Sequence, residues 1–187
     1  MQPDVVAGDL SGLLYTERQI LDRIAELCRL IEQDQPADGD GRPLLLVGVL
    51  RGAVMVMADL ARELAIPVEM DWMAVSSYGS STRSSGVVRI LKDLDTELAG
   101  RRVLIVEDII DSGLTLSWLV TNLRSRGPAS VEVCTLLRKP AGQKIAVDVK
   151  YCGFDIPNEF VVGYGLDYAE RYRNLRAVGV LAPHVYG

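Results

Sequence analysis

Histidine and paired cysteines, which build many catalytic and metal sites, are scarce in this sequence. A Ser-His-Asp or Cys-His mechanism would have to rest on His184, the one histidine in the chain. The three cysteines, Cys28, Cys134 and Cys152, are widely spaced and form no C-x-x-C motif. This usage predicts reduced, buried thiols and argues against a disulfide framework or a zinc site. Acid–base chemistry would therefore fall to carboxylates or lysine.

Long apolar runs and an excess of basic residues are also missing. No apolar run reaches the about 20 residues that a transmembrane helix needs. The opening segment, MQPDVVAGDLSG, lacks the basic and apolar regions of a signal peptide. The formal net charge of −5 argues against a general binder of nucleic acid or membrane surfaces, although an acidic protein can contain a basic pocket. We expect a cytoplasmic protein without a nucleic-acid or membrane partner.

Apolar segments with strand and helix periodicity make up much of the chain. Hydrophobic residues account for 49% of the 187 positions, enough for one domain with a substantial core. Thr16 and Gln19 fit a capping box, which predicts a helix beginning there. Strands alternate with helices, so we predict a parallel α/β sheet with ligands at the carboxyl ends of its strands. The predicted strands cover 44–50, 68–75, 87–91, 103–106, 130–137 and 147–154. A second predicted helix begins after residues 51–52 and ends near 64, and a third spans 116–123.

The segment VLIVEDIIDSGLT, residues 103–115, ends a predicted buried strand in acidic residues. Two adjacent carboxylates, Glu107 and Asp108, follow four apolar residues, and Asp111 comes soon after. Acids at the end of a buried strand are costly unless they meet solvent, metal or ligand. The next residues, DSGLT, bring hydroxyls and a glycine to a helix start, where exposed amides favour a phosphate. A lone DSG would be an ordinary capped turn, but the preceding strand and acids make the pattern more specific.

This segment resembles the phosphoribosyl pyrophosphate signature of type I phosphoribosyltransferases. The resemblance implies that Glu107 and Asp108 face the ribose hydroxyls and magnesium. Vicinal hydroxyls are donors and ionised carboxylates are acceptors, so the match is chemically consistent. Leu114 stands where some relatives carry lysine, so backbone amides and hydroxyls would hold the phosphate. The residues implied for the 5′-phosphate are Asp111, Ser112, Gly113, Leu114 and Thr115.

Two further segments resemble loops of the hypoxanthine-guanine phosphoribosyltransferases, a resemblance that covers nearly the whole chain. VGVLRGA is similar to the pyrophosphate loop, which implies a cis peptide between Leu50 and Arg51. That loop's Leu50, Arg51 and Gly52, with the distant Arg173, would bind pyrophosphate. The serine- and glycine-rich SSYGSST is similar to the catalytic lid, with Ser77 and Tyr78 as its characteristic pair. A closed lid would exclude water from a reactive sugar cation.

Two more segments match the part of that family that recognises the purine. In LLRKP, Lys139 stands at the position of the purine-reading lysine, and its ammonium can donate to a 6-oxo group but not usefully to a 6-amino group. The adjacent Arg138 is the alternative register. In FVVGYGLDYAERYR, the resemblance implies that Phe160 stacks on the purine and that the Val161 backbone bonds its edge. The Asp167 side chain would bind a second magnesium, and its backbone carbonyl would accept a hydrogen bond from the 2-amino group of guanine.

The resemblance also implies an architecture. We expect a single domain, residues 1–187, with a central, mostly parallel sheet flanked by helices. A small hood would come from about residues 1–15 and 140–187, and a flexible lid from residues 76–86. Family members assemble as dimers or tetramers, so a homodimer or homotetramer is expected.

The implied activity is purine salvage with Mg²⁺ as cofactor. Phosphoribosyl pyrophosphate and hypoxanthine or guanine would give IMP or GMP and pyrophosphate, with Asp111 as the acid–base group at purine N7. One alternative is a preference for xanthine. Another is a regulator that keeps the fold and senses phosphoribosyl pyrophosphate while binding nucleic acid. Such a regulator would need a basic face, so the acidic chain with its lid, pyrophosphate loop and base-reading segment favours the enzyme.

Overall fold

The protein is described by a computed structural model over residues 1–35, 41–77 and 88–187. In these ranges the strands are β1 (Leu10–Tyr15), β2 (Leu44–Leu50), β3 (Val68–Ser77), β4 (Val88–Lys92), β5 (Arg102–Ile110), β6 (Ser130–Arg138), β7 (Tyr151–Asp155), β8 (Val161–Val162) and β9 (Val178–Leu181). The helices are α1 (Glu17–Gln33), α2 (Val54–Glu63), α3 (Leu114–Arg124) and α4 (Pro183–Tyr186). Short 3₁₀ segments cover Pro3–Asp9 and Pro140–Gly142.

Six strands form the central sheet in the order β4-β3-β2-β5-β6-β7. All neighbouring strands pair in parallel except β3 and β4, which are antiparallel. The predicted α/β class with a mostly parallel sheet is confirmed. Because parallel strands share one direction, the ends of β2, β5 and β6 lie along one edge, where the candidate ligand-binding segments begin.

The central sheet is covered on both faces because side chains alternate along each strand. Leu44 and Leu46 of β2 pack with the buried residues of α1 and α2. Leu45 and Val47 belong to the cluster that contains the buried face of α3. This arrangement explains why β2 is apolar throughout, as a strand buried on both faces must be.

Helix α1 begins as the sequence predicts. The backbone N–H of Gln19 donates to Thr16 Oγ1 at 3.4 Å, and the backbone N–H of Thr16 donates to Gln19 Oε1 at 3.0 Å. The capping box is therefore present, and the isoleucines at helical spacing face the core. No helix in the described ranges has both the length and the apolar character required to cross a membrane.

Three antiparallel strands form a second sheet in the order β1-β9-β8. In the described ranges these strands pair with one another and not with the strands of the central sheet. The three strands come from the two ranges predicted to build the hood, residues 1–15 and 140–187. Strand β7 also falls in the second range, but it pairs with β6 in the central sheet. That part of the range therefore belongs to the sheet and not to a hood.

Several predicted element boundaries were wrong. β5 continues to Ile110 instead of stopping at residue 106, because its register with β6 runs through Glu107↔Thr135 to Ile110↔Arg138. Helix α3 begins at Leu114, two residues before the predicted start. Residues 147–150 are not a strand, although their apolar and polar residues alternate. Val147 and Val149 instead pack against the α3-side cluster, so the alternation reflects burial without strand pairing.

The cysteines follow the prediction in part. Cys28 and Cys134 are buried free thiols, whereas Cys152 is half-buried. Cys152 lies in β7, and β7 is an edge strand of the central sheet, which accounts for its greater exposure.

Candidate active site

The end of β5 carries two adjacent acids, of which Glu107 is buried and Asp108 is half-buried. Glu107 is 8% exposed, and burial, followed by the charge of Asp108, raises its pKa well above the ordinary value. Burial also raises the pKa of Asp108 to about 6, although the backbone N–H of Ile109 donates to Asp108 Oδ1 at 2.8 Å. Carboxylates withdrawn from water in this way are suited to a cation or to hydroxyl donors.

Gly52 lies directly against Asp108. A Cβ added to this glycine would lie 1.6 Å from Asp108 Oδ2, so no side chain fits between the β2–α2 turn and the carboxylate. The preceding peptide bond, between Leu50 and Arg51, is cis, as the resemblance implies. A second close approach involves Gly165, because a Cβ there would lie 2.0 Å from the Gly52 carbonyl oxygen. The turn after β2 is thus held between an acid of β5 and a loop that follows β8.

The turn between β5 and α3 leads directly into a helix start. Gly113 has a φ of 77°, a left-handed conformation that glycine adopts without strain, and it is the residue before the first turn of α3. The Ser112 carbonyl accepts from the backbone N–H of Lys144 at 3.0 Å and of Ile145 at 3.2 Å. The segment containing Lys144 thus fixes one side of the turn. The first N–H groups of a helix are unpaired within it and attract anions.

Asp111 and Lys139 meet across the ends of β5 and β6. Lys139 Nζ lies 3.4 Å from Asp111 Oδ2; the lysine is buried, while the Asp111 side chain is 59% exposed. Arg138 instead makes a bidentate ion pair with Asp155 at 2.7 and 3.0 Å. Of the two basic residues left open by the sequence, Lys139 is the one that reaches Asp111.

The loop after β8 brings Asp167 and Arg173 to the same edge. Arg173 Nη2 lies 2.8 Å from Asp167 Oδ1, and Arg173 Nη1 donates to the Gly165 carbonyl at 2.8 Å. The charge of Asp167 raises the pKa of Asp108 and that of Arg173 lowers it, so these three side chains share one electrostatic environment.

Phe160 immediately precedes strand β8 of the second sheet, and Val161 is the first residue of that strand. The Phe160 ring is 40% exposed and stacks on Tyr186 of α4, with ring centroids 5.2 Å apart and planes at 26°. Val161 is buried in β8 and pairs with Val180, and β8 is an edge strand of its sheet.

The predicted lid falls largely outside the described residues. Ser77 is the last residue of β3, so the strand extends two residues beyond its predicted end. Tyr78 and the rest of residues 78–87 lie outside the described ranges.

Sequence reasoning missed several residues that border the site. Gly142 is one, because a Cβ there would lie 2.6 Å from Asp111 Oδ1. Gly165 and Tyr186 are others, and Glu170 forms ion pairs with both Arg51 and Arg173. The two glycines of GYG, residues 163–165, are a sequence signal for close approach of this loop to another backbone segment. No local pattern indicates the contacts of Tyr186 or Glu170, since both depend on how distant segments pack.

A mostly parallel sheet whose strand β5 ends in two adjacent acids and leads through a glycine turn into a helix, together with a small antiparallel sheet, defines a type I phosphoribosyltransferase. The family model described as "Phosphoribosyl transferase domain" matches residues 13–169. The chain belongs to this family, within its hypoxanthine-guanine phosphoribosyltransferase branch.

The relatives support that branch over almost the full chain. The hypoxanthine-guanine phosphoribosyltransferase of Mycobacterium avium is 58% identical, over 98% of this chain and 91% of its own. That of Bacillus subtilis is 51% identical, over 95% and 97% respectively. A hypoxanthine phosphoribosyltransferase structure from Staphylococcus aureus has a TM-score of 0.92 at 44% identity, covering 98% of this chain and 97% of that one. One from Trypanosoma cruzi, in complex with the product IMP, has a TM-score of 0.89 at 43% identity, with 95% and 97% covered.

Proposed function

We propose that the protein is a purine salvage enzyme. It transfers the 5-phosphoribosyl group from phosphoribosyl pyrophosphate to hypoxanthine or guanine and releases pyrophosphate with IMP or GMP. Support comes from the relatives that bear this activity in their names and from the solved complex of one of them with IMP.

The observation that carries the proposal is the contact between Asp111 and Lys139. Lys139 Nζ is buried and lies 3.4 Å from the more exposed Asp111 Oδ2. In a 6-oxopurine, N7 and the 6-oxo group are neighbours on one edge of the base. A carboxylate that accepts a proton and an ammonium that donates a hydrogen bond are the groups which that edge requires. The pair therefore favours hypoxanthine and guanine over adenine.

The remaining roles follow from the positions of the side chains. Glu107 and Asp108 accept hydrogen bonds from the ribose hydroxyls, and the turn from Asp111 to Thr115 holds the 5′-phosphate with the N–H groups at the start of α3. Arg51 and Arg173 offset the charge of the leaving pyrophosphate.

The residues that hold the base contact one of its faces and its edges. Phe160 stacks on the purine, and the Val161 backbone bonds its edge. The Asp167 carbonyl accepts from the 2-amino group of guanine. Asp111 removes the N7 proton while N9 forms the bond to the anomeric carbon, and Ser77 and Tyr78 belong to a lid that excludes water.

Mg²⁺ is the proposed cofactor, and the carboxylates at this edge fit it. Their ligand atoms are oxygens, as a hard cation requires, and burial raises the pKa of both Glu107 and Asp108, although the charge of Arg173 partly offsets it at Asp108. Within the described residues, no group of three or more acidic, histidine or cysteine side chains is arranged to hold a metal ion by itself. Mg²⁺ commonly keeps one or two carboxylates and takes substrate phosphates as further ligands, so Asp167, Glu107 and Asp108 would suffice. When bound, the ion offsets the charge of the pyrophosphate.

We also propose a single phosphoribosyltransferase domain with a hood from residues 1–15 and the segment after β7, and a lid at residues 76–86. A homodimer or homotetramer and a cytoplasmic location are further proposals. The family to which the chain belongs supports the assembly, and the free cysteines of the chain support the cytoplasmic location.

Replacing Lys139 with alanine should raise KM for hypoxanthine and guanine by about ten- to hundredfold, because a hydrogen bond to a charged group contributes about 1.5–3 kcal/mol. KM for phosphoribosyl pyrophosphate should change much less. Steady-state kinetics with each substrate varied in turn measures both. Arg138→Ala is the matched control, since Arg138 pairs with Asp155 and should leave the purine KM unchanged. A purine KM that rises in the Arg138 variant and not in the Lys139 variant would reverse the assignment.

Replacing Asp167 with asparagine should raise the Mg²⁺ concentration for half-maximal rate at least about tenfold, since even indirect partners of a metal contribute 10- to 100-fold to its affinity. The rate at saturating Mg²⁺ should recover in large part. Asp155→Asn, which removes a carboxylate outside the site, provides the control. An unchanged Mg²⁺ requirement would remove Asp167 from the metal site.

A base panel tests the proposed function. Initial rates are followed spectrophotometrically with hypoxanthine, guanine, xanthine and adenine, each with phosphoribosyl pyrophosphate and Mg²⁺. We expect turnover of hypoxanthine and guanine and none of adenine. Faster turnover of xanthine would indicate the xanthine-preferring alternative, and no turnover of any base would contradict an enzyme of this class.

A further inference from the structure

Glu170 forms ion pairs with both arginines of the proposed pyrophosphate site. Its Oε2 lies 2.8 Å from Arg51 Nη1 and 3.3 Å from Arg173 Nη2. Arg51 belongs to the turn after β2 and Arg173 to the loop after β8, so one carboxylate joins two separate segments. Glu170 has no role in the proposed sites for magnesium, ribose or purine, so its position between the two cations requires an explanation.

The backbone presents Glu170 in a conformation that glycine adopts more easily. Tyr168 and Arg171 exchange backbone hydrogen bonds at 3.2 and 3.0 Å, which makes Ala169 and Glu170 the central residues of a tight hairpin turn. Both have positive φ, 49° and 62°, as in a type I′ turn, where asparagine and glycine are preferred. The Glu170 N–H donates to Asp167 Oδ2 at 2.9 Å. The turn thus directs a charged side chain from a strained position toward the two arginines.

Arg173 does not depend on Glu170 for its orientation. Its Nη1 donates to the Gly165 carbonyl at 2.8 Å, and its Nη2 lies 2.8 Å from Asp167. The Arg51 and Glu170 side chains are 69% and 63% exposed, so their ion pair is screened by water and is easily broken. Removal of the Glu170 charge should therefore leave Arg173 in place on Asp167 and Gly165, and make Arg51 and the side of Arg173 that faced Glu170 available to another anion.

We propose that Glu170 is an internal competitor of pyrophosphate. In the free enzyme its carboxylate pairs with Arg51 and Arg173, and the diphosphate of the substrate or product displaces it. When pyrophosphate leaves, the carboxylate returns to the arginines and opposes rebinding. This inference rests on the proposed function, because it takes these arginines as the pyrophosphate site. Glu170 thereby lowers the affinity for pyrophosphate and favours its release.

The competition predicts that Glu170→Gln binds Mg²⁺-pyrophosphate more tightly than the wild type. We expect a dissociation constant about three- to tenfold lower, because each exposed ion pair that must be broken weakens binding by up to about fivefold. The gain should decrease as KCl rises from about 0.1 M to about 1 M, since the Debye length falls from about 10 Å to about 3 Å. KM for the purine should not change, since no purine contact is removed.

Isothermal titration of the intact enzyme with Mg²⁺-pyrophosphate measures the affinity, and inhibition by pyrophosphate in the forward reaction checks it. Glu17→Gln is the matched control: it makes the same charge change and breaks an ion pair with Arg176, 2.6 Å away, outside the site. The proposal requires tighter binding in the Glu170 variant and unchanged binding in the control.

Equal or weaker pyrophosphate binding in Glu170→Gln would overturn the proposal and make Glu170 a residue that orients the arginines. An equal gain in Glu17→Gln, or a gain that salt does not reduce, would also overturn it, since the effect would then not come from local charge competition. Absence of pyrophosphate binding in the wild type would instead contradict the proposed function. The two failures are therefore distinguishable.

Discussion

Replacement of Asp111 with asparagine should slow the chemical step by about 10²–10⁴-fold, the usual contribution of a general acid–base group. Asparagine keeps the size and a hydrogen bond but cannot accept the N7 proton. Asp111 lies just beyond the end of β5, with its side chain 59% exposed and its Oδ2 3.4 Å from Lys139 Nζ. The carboxylate is therefore accessible to a base that the lysine holds by its 6-oxo group.

The affinity for phosphoribosyl pyrophosphate should remain nearly unchanged in the Asp111 variant. The purine KM is expected to rise as well, because the buried Lys139 loses its carboxylate partner. Single-turnover measurements are required, since slow product release can conceal a slower chemical step. A single-turnover rate within a few-fold of the wild type would show that the proton goes elsewhere and that Asp111 only shapes the turn.

Replacement of Gly52 with alanine should reduce kcat/KM for phosphoribosyl pyrophosphate by about 100-fold or more, the effect that a displacement of about 1 Å can have at a reacting centre. The added methyl group would lie 1.6 Å from Asp108 Oδ2 and 2.5 Å from its Cγ, so the acid or the turn must move. The turn has little freedom to move, because Gly165 also lies in close contact with the Gly52 carbonyl oxygen.

The fold should survive this substitution, since the methyl group enters the site and not the sheet core. Circular dichroism and thermal unfolding check that point. Gly12→Ala is the control, because a Cβ at Gly12 would meet nothing within 4 Å. Wild-type kinetics in the Gly52 variant would mean that the contact with Asp108 is not part of the functional geometry.

The segment 103–115 illustrates how much of the site the sequence predicts. Its residue types indicate a strand that ends in acids and a helix that starts soon after, and the structure has these acids and this helix start at the carboxyl edge of the sheet. The ligands that the sequence predicts for them, hydroxyls or metal and a phosphate, remain predictions. The strand itself runs further than predicted, because pairing with β6 continues through Glu107 to Ile110. Strand pairing satisfies the backbone of acidic residues as well as that of apolar ones, so polarity alone could not indicate where the strand ends.

Contacts between distant segments account for most of what the sequence does not indicate. The glycine at position 52 is visible in the sequence, but its approach to Asp108 depends on how β2 lies beside β5. Similarly, Glu170 is one of many exposed acids until the loop after β8 brings it to Arg51. The choice between Arg138 and Lys139 also needed the packing of β7, which supplies Asp155 as the partner of Arg138.

We propose above all that the acids of β5 belong to a site for magnesium and phosphoribosyl pyrophosphate. Isothermal titration with phosphoribosyl pyrophosphate, in Mg²⁺ and in excess chelator, tests it most directly when applied to the wild type, Glu107→Gln and Asp108→Asn. We predict binding by the wild type in Mg²⁺, a loss of that binding in chelator, and clearly weaker binding by both variants with unchanged circular dichroism. Wild-type affinity in both variants, or undiminished binding in chelator, would contradict the account.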